Sequence, residues 1–375
     1  MRPADVFMPD GYPSETYVAP EGGRFERQLD DALAQRGKIL SIVGASKTGK
    51  TTLCARRFGN RRVVIPGSRI RDADDVWFQA YEQLGGRITP EFKANPVENA
   101  VGLLKHQRFP LILDDFHYVD RDLQRTLARQ MKSAAYDGAV IVVVSLPHRG
   151  DDAVRSNPDL SGRVYSIDLG FWKPEDLMRI GAIGFPKVGL SLEEPALRRL
   201  AEEALTSPQI MHTLCLETAR ELGTEEGSRI RAVRERDIDF GAVLDRSARS
   251  YVNETAATRL RQGPARRGQE RRLFGFVNDA SGDVYELLVR AIGLDPARLS
   301  FPYEDLRDRA GRLAPGERPD LLPALDQWND LFEEEDYRPV EWDAEQRELT
   351  ILDPHLYFWI RHELRATGRD RGVYH

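Results

Sequence analysis

The chain has 375 residues, 41% of them hydrophobic and 30% charged, with a net charge of −6. That length allows two or three domains, each with its own core. The composition is that of a soluble globular protein, and the negative sum excludes a global cationic field for nucleic acid or membrane binding. No apolar run approaches the roughly 18 residues that span a bilayer. Met1 to Glu21 lacks the charged-then-apolar pattern of a signal peptide, so a cytoplasmic protein is expected. Cys54 and Cys215 sit in helical, apolar-spaced contexts, which reads as reduced core thiols rather than a metal site.

In chain order, Arg24 to Ala34 carries Phe25, Leu29, Ala32 and Leu33 at helical spacing. Lys38 to Val43 is a short apolar strand running into Gly44, and a helix starts near Lys50 with Leu53, Ala55 and Phe58. Arg61 to Ile65 is a second strand, stopped by Pro66 and Gly67. Helices are predicted over Asp74 to Leu84 and Val97 to Lys105. Phe109 to Leu113 is a third strand ending in Asp114 and Asp115, Leu123 to Ala135 a helix, Ala139 to Val144 a fourth strand ending at Ser145, and Val164 to Leu169 a fifth. Doubly apolar strands alternating with helices predict an α/β core built on a five-stranded parallel sheet.

From Lys173 to Ser250 the pattern is helical, without strand candidates: Glu175 to Ile183, Leu192 to Leu205, Pro208 to Leu222 and Ile238 to Ser250. This segment is expected to form a helical lid. Helices then follow over Asp283 to Ile292, Tyr303 to Leu313 and Leu321 to Phe332. Two short strands, Pro339 to Trp342 and Arg347 to Leu352, flank the turn 343–346, and Pro354 to Leu364 is a last helix. Three helices and a hairpin outline a C-terminal winged helix. The expected division is an N-terminal arm (1–23), a P-loop core (24–172), the lid (173–250), an Arg-rich linker (251–281) and the winged-helix-like part (282–375).

The segment Gly44-Ala45-Ser46-Lys47-Thr48-Gly49-Lys50-Thr51, with Thr52 behind it, matches G-x-x-x-x-G-K-[ST] and has a strand before it and a helix after it. The glycines let backbone N–H groups approach phosphate oxygens, and the helix presents its positive end to the same anion. Lys50 brings a point charge to the β and γ phosphates, and Thr51 offers a hydroxyl to Mg²⁺. ATP or ADP with Mg²⁺ is therefore the expected ligand. Asp114, at a strand's carboxyl end, is the candidate second Mg²⁺-side group, and Asp115 the candidate for orienting or deprotonating the attacking water. Taken alone, the pair would simply open a loop. Ser145 reads either as a sensor of the γ-phosphate or as a strand-end serine starting a turn.

With these motifs the chain resembles the additional-strand P-loop NTPases: the AAA+ ATPases and their signalling relatives, the STAND NTPases. The resemblance covers roughly residues 24 to 250 and extends to the winged helix. An acidic pair after the third strand and a polar residue after the fourth are what that group shows. The Rossmann dinucleotide fold is disfavoured, because its G-x-G-x-x-G is absent. AAA+ machines usually carry Asp-Glu where this chain has Asp114-Asp115. Thr206-Ser207-Pro208-Gln209-Ile210 looks like the STAND Gly-x-Pro region, with Thr206 standing where glycine is frequent, so the resemblance makes Pro208 a nucleotide contact. An ordinary capped helix would read the same way. The resemblance also implies that Arg163 reaches a neighbour's γ-phosphate and that His355 touches a β-phosphate. The bland readings are a surface arginine and a structural histidine.

Arg246, Arg249, Arg259, Arg261, Arg266, Arg267, Arg271 and Arg272 lie in a stretch broken by Gly263, Pro264 and Gly268, which reads as a loop. It is suited to nucleic-acid phosphates, to an acidic partner, or to being a solvated linker. The resemblance implies an ATPase switch of STAND/AAA+ type that hydrolyses slowly and either self-associates or acts with a separate sensor or effector polypeptide. By association, such switches serve bacterial signalling or anti-phage defence. The alternative is a DNA-binding ATPase resembling archaeal origin-binding initiators. Asp326, Asp330 and Glu333 to Glu335 would repel phosphates there. A small-molecule kinase is disfavoured by the large helical C-terminal half.

Overall fold

The computed structural model describes residues 1–146, 160, 162–223, 230–251, 253–265, 271–277, 280–317, 319–332 and 337–366. The chain divides into two compact units, residues 19–172 and residues 1–18 with 173–375.

The first unit is an α/β sandwich. Its strands are β1 (Ile39–Gly44), β2 (Val63–Pro66), β3 (Leu111–Asp114), β4 (Ile141–Ser145) and β5 (Val164–Leu169). They form one sheet in the order β2-β3-β4-β1-β5, and every pairing is parallel. Successive side chains on a strand point to opposite faces, and here both faces are buried. Ile39, Val63, Ile65, Leu111, Leu113, Ile141 and Val143 pack with Trp77, Leu104, Leu127 and Met131 on one side. Leu40, Ile42, Ile112, Val142, Val144 and Ile167 pack with Phe25, Leu29, Leu53 and Cys54 on the other. The five strands predicted from the sequence are these five. The second starts at Val63 rather than Arg61, because the Arg61 amide still closes the preceding turn onto Phe58 O at 3.1 Å.

The second unit opens with residues 1–18, which pack on its helices. The Phe7 ring lies 5.1 Å from that of Phe185, Lys187 pairs with Glu15 at 2.7 Å, and Gln209 donates to Asp10 at 2.9 Å. Helices Pro174–Lys187, Glu194–Glu203, Pro208–Leu222 and Phe240–Arg249 follow. The expectation that this stretch holds no strand is corrected: Leu190–Leu192 and Arg231–Val233 pair in parallel. Three-residue strands are too short for alternation to register in a sequence. Helix Glu254–Gln262 is a second departure, within the stretch read as a loop.

Helices Val284–Gly293, Tyr303–Leu313 and Leu322–Leu331 come next. The predicted hairpin is Val340–Asp343 with Glu348–Ile351, and Ser300–Pro302 adds a third antiparallel strand to it. Buried polar groups fix this end of the unit: Trp328 Nε1 donates to Leu260 O at 3.0 Å, and Arg309 to Leu294 O at 2.6 Å. The last helix is Pro354–Ala366. Among the described residues no helix is long and apolar enough to cross a membrane.

Candidate functional site

The carboxyl ends of β1, β3 and β4 lie side by side in the sheet, and loops leaving such ends are where open α/β folds hold ligands. The loop after β1 turns into helix Lys50–Phe58 through Gly49, whose φ of 95° suits glycine far better than any residue bearing a Cβ. Thr48 Oγ1 donates to Ala45 O at 2.9 Å and closes the turn. Among the described residues no acceptor takes the amides of Gly49, Lys50, Thr51 and Thr52. These are the open donors of a helix's first turn, where the macrodipole is positive, and together they form a seat for an anion.

Lys50 is only 6% exposed, and its ammonium donates to Gly44 O and Ala45 O, both at 2.8 Å. Burial pulls its pKa from 10.5 to about 8, against the opposing charges of Asp115 and Asp114. Thr51 Oγ1 donates to Asp114 Oδ2 at 3.0 Å, so hydroxyl and carboxylate meet although they are 63 residues apart. Burial and the neighbouring Asp115 charge raise the Asp114 pKa, and the Thr51 hydrogen bond opposes them. A cation beside this carboxylate would relieve both effects. Mg²⁺ is commonly held by one or two carboxylates and by phosphates. Asp114, with Thr51 beside it, fits that donor set.

Asp115 is exposed and sits in the left-handed region, φ 52° and ψ 45°, with its amide on Asp114 Oδ1 at 3.2 Å. Ser145 lies opposite Val43 in register, is 4% exposed, and its Oγ has no hydrogen-bond partner among the described residues. The structure thus brings Lys50, Thr51, Asp114 and Asp115 to one edge of the sheet, with Ser145 ending the strand beside β1.

Arg163 is elsewhere. Its carbonyl accepts from Ile39 N at 2.8 Å, at the amino edge of the sheet, and its guanidinium lies 5.8 Å from the Tyr136 ring centre. Five residue steps along β1 separate that edge from Gly44, about 17 Å, so Arg163 does not belong to its own chain's phosphate site. Pro208 opens helix Pro208–Leu222 in the second unit, capped by Ser207, whose Oγ accepts from Ile210 N at 3.3 Å. Thr206, with φ 64°, adopts the backbone that glycine would supply at less expense. The His355 ring stacks on Tyr251 with centroids 4.0 Å apart, and its amide caps onto Asp353 Oδ1 at 2.9 Å.

Four of the described arginines of the basic stretch have carboxylate partners within the chain. Arg246 pairs with Glu217 at 3.2 Å, Arg261 with Glu363 at 3.0 Å, Arg271 with Asp283 at 2.8 Å and Arg272 with Glu317 at 2.6 Å. Arg259 lies 4.7 Å from the Phe332 ring centre. Three of the partners come from 29 to 102 residues away, Glu363 being 102 residues beyond Arg261, so the sequence shows those charges without their counterions. Arg266, Arg267 and Glu333 to Glu335 lie outside the described residues.

The sequence reading missed Trp172. Its indole Nε1 donates to the Thr48 carbonyl of the phosphate loop at 2.9 Å. The available signal was an aromatic residue three positions past the end of a strand that neighbours β1.

Three solved structures are similar to this one to different degrees. The Walker-type ATPase of Pyrococcus abyssi aligns over 90% of this chain and 94% of its own, with a TM-score of 0.54 and 14% identity. Cdc6p from Pyrobaculum aerophilum aligns over 97% and 98%, with a TM-score of 0.46 and 17% identity. A STAND protein with a tetratricopeptide repeat sensor from Pyrococcus horikoshii aligns over 95% of this chain and 44% of its own, with a TM-score of 0.39 and 15% identity. No protein-family model matches the sequence, and no curated protein matches it. At such identities the likeness is one of fold, and the first of these structures carries it: the chain has the fold of a P-loop, Walker-type ATPase.

Proposed function

We propose that this protein is an ATP-binding, slowly hydrolysing molecular switch of STAND/AAA+ type that couples nucleotide state to conformation or assembly with a separate partner. One observation carries the proposal: a buried ammonium on the Gly44 and Ala45 carbonyls, beside a helix start whose first amides have no acceptor among the described residues, with the Thr51–Asp114 pair next to it. When bound, Mg·ATP supplies the transferable phosphoryl group and the charge neutralisation its departure needs. The chain's own residues do the rest. The open amides of Gly49 to Thr52 and the Lys50 ammonium hold phosphate oxygens, and Thr51 and Asp114 hold the cation. Asp115 orients a water or takes its proton, and Ser145 Oγ donates to the nucleophile or the γ-phosphate. Pro208 and Arg163 are read, by resemblance, as a nucleotide contact and as a group serving a neighbouring copy. Helices Val284–Gly293, Tyr303–Leu313 and Leu322–Leu331 with the three-stranded sheet are read as the winged helix.

The alternative, an initiator-like DNA-binding ATPase, needs free cations. Among the described arginines of the stretch, Arg246, Arg261, Arg271 and Arg272 are in internal ion pairs and Arg259 lies against a ring, which leaves fewer cations for phosphates and supports a protein partner or self-assembly. The test is native mass on the wild type and on Asp115→Asn with ATP or ADP. A switch of this kind changes its assembly or partner state with ATP, and Asp115→Asn holds the ATP state for longer. Identical mass and identical hydrogen exchange with either nucleotide would remove the proposal, and turnover stimulated by DNA would replace it with the alternative.

A further inference from the structure

We infer that Trp172 is a positioning residue for nucleoside-phosphate binding, an indole latch that ties the conformation of the phosphate loop to the point where the chain leaves the core unit. The inference rests on the phosphate-site reading above and adds the element through which that site is read out.

Three observations support it. First, β5 braces the loop directly: Leu169 is the register partner of Gly44, and a Cβ on Gly44 would stand 2.7 Å from the Leu169 carbonyl oxygen. The loop and the end of β5 therefore cannot shift independently, since main chain meets main chain without room for a methyl group. Second, three residues on, the Trp172 indole donates to the Thr48 carbonyl at 2.9 Å. Thr48 is 3% exposed and lies one residue before Gly49 and two before Lys50. A donor fixed on that carbonyl sets the peptide plane from which the first helical amides follow. Third, Trp172 is the last residue of the core unit, and Lys173, at the N-cap of helix Pro174–Lys187, begins the other. The side chain that holds the phosphate loop is thus joined by one peptide bond to the start of the second unit's first long helix.

The ligand class follows from the loop: a nucleoside di- or triphosphate whose phosphates draw the amides of Gly49 to Thr52 and the Lys50 ammonium. Reorienting those groups moves the Thr48 peptide, and the indole must follow it or lose its acceptor. Lost acceptors of this kind cost about 1 kcal/mol, or about three- to tenfold in affinity where the bond holds the binding conformation.

The test uses the full-length chain and Trp172→Phe, which keeps an aromatic ring and removes the N–H. Calorimetry with Mg·ADP should show binding about three- to tenfold weaker in Trp172→Phe. The chain holds five tryptophans, and the ADP-dependent change in tryptophan emission should be present in the wild type and lost in a saturated Trp172→Phe. An unchanged dissociation constant, or an emission change that survives the substitution, overturns the latch while leaving the phosphate site standing. A wild type that takes up no ADP removes the phosphate site itself. In the wild type alone, ADP should slow amide exchange across residues 170–173. Unaltered exchange there at saturation overturns the latch whether or not the variant folds well.

Discussion

Lys50→Met separates what the lysine does for folding from what it does for binding. Lys50 is 6% exposed, and its pKa falls from 10.5 to about 8 because burial disfavours the ammonium. At about 1.4 kcal/mol per pKa unit, that drop is a penalty of about 3 kcal/mol on the folded state. Since the folded-state value lies below that of the unfolded chain, the unfolded chain binds the proton more tightly. The penalty is full below pH 8 and is released as the pH rises from about 8 to 10.5. Methionine has similar length and no charge, so it removes the penalty. It also removes two hydrogen bonds, to Gly44 O and Ala45 O, worth about 1 kcal/mol each. The balance is a gain of about 1 kcal/mol, or about 2–4 °C in melting temperature for a unit of this size. Thermal unfolding by circular dichroism without nucleotide should therefore find Lys50→Met as stable as the wild type or slightly more so at pH 7. That advantage should shrink between pH 8 and pH 10. Saturating Mg·ADP should reverse the order, stabilising the wild type by about 3 kcal/mol at a hundred times its dissociation constant and leaving the variant unmoved. A Lys50→Met protein that melts many degrees lower at pH 7 without ligand, or a difference indifferent to pH, would refute the reasoning.

Three further outcomes are expected. Asp114→Ala should bind nucleotide in the absence of metal but lower the affinity for Mg²⁺ at least about tenfold, measured by metal titration of the nucleotide complex. In Gly67→Ala, the new Cβ would stand 2.3 Å from the Asp115 carbonyl oxygen. The Asp115 backbone must shift, at about 1–3 kcal/mol, and ATP turnover should fall while ADP affinity is nearly kept. His212 is 4% exposed, and burial lowers its pKa from 6.5 to about 4. The unfolded chain takes up that proton first, so the second unit should lose up to about 3 kcal/mol as the pH falls from about 6.5 to 4. His212→Leu should flatten the corresponding slope in urea midpoints.

What the sequence disclosed and what it withheld divide along a physical line. The phosphate loop and the sheet were legible because their signals are local. Gly44, Gly49, Lys50 and Thr51 lie within eight residues, and β1, β3 and β4 are apolar on both faces, as buried parallel strands must be. Asp114 and Ser145 end β3 and β4 and Asp115 comes directly after β3, so their place near the loop can be read from the strand pattern. Trp172 was not, because its partner lies 124 residues earlier and a tryptophan after a strand is ordinarily core. The same limit hid the counterions of the arginines, the packing of Phe7 on Phe185, and the pairing of Leu190–Leu192 with Arg231–Val233. Each depends on which distant segments the fold brings together, and no local periodicity encodes that.

The most direct measurement is a calorimetric titration of the intact, folded chain with ADP in the presence of Mg²⁺. Saturable heat at one site per chain, abolished in Lys50→Met, is the expected result. A wild-type protein that remains fully folded and takes up no nucleotide at any attainable concentration would contradict the account at its root.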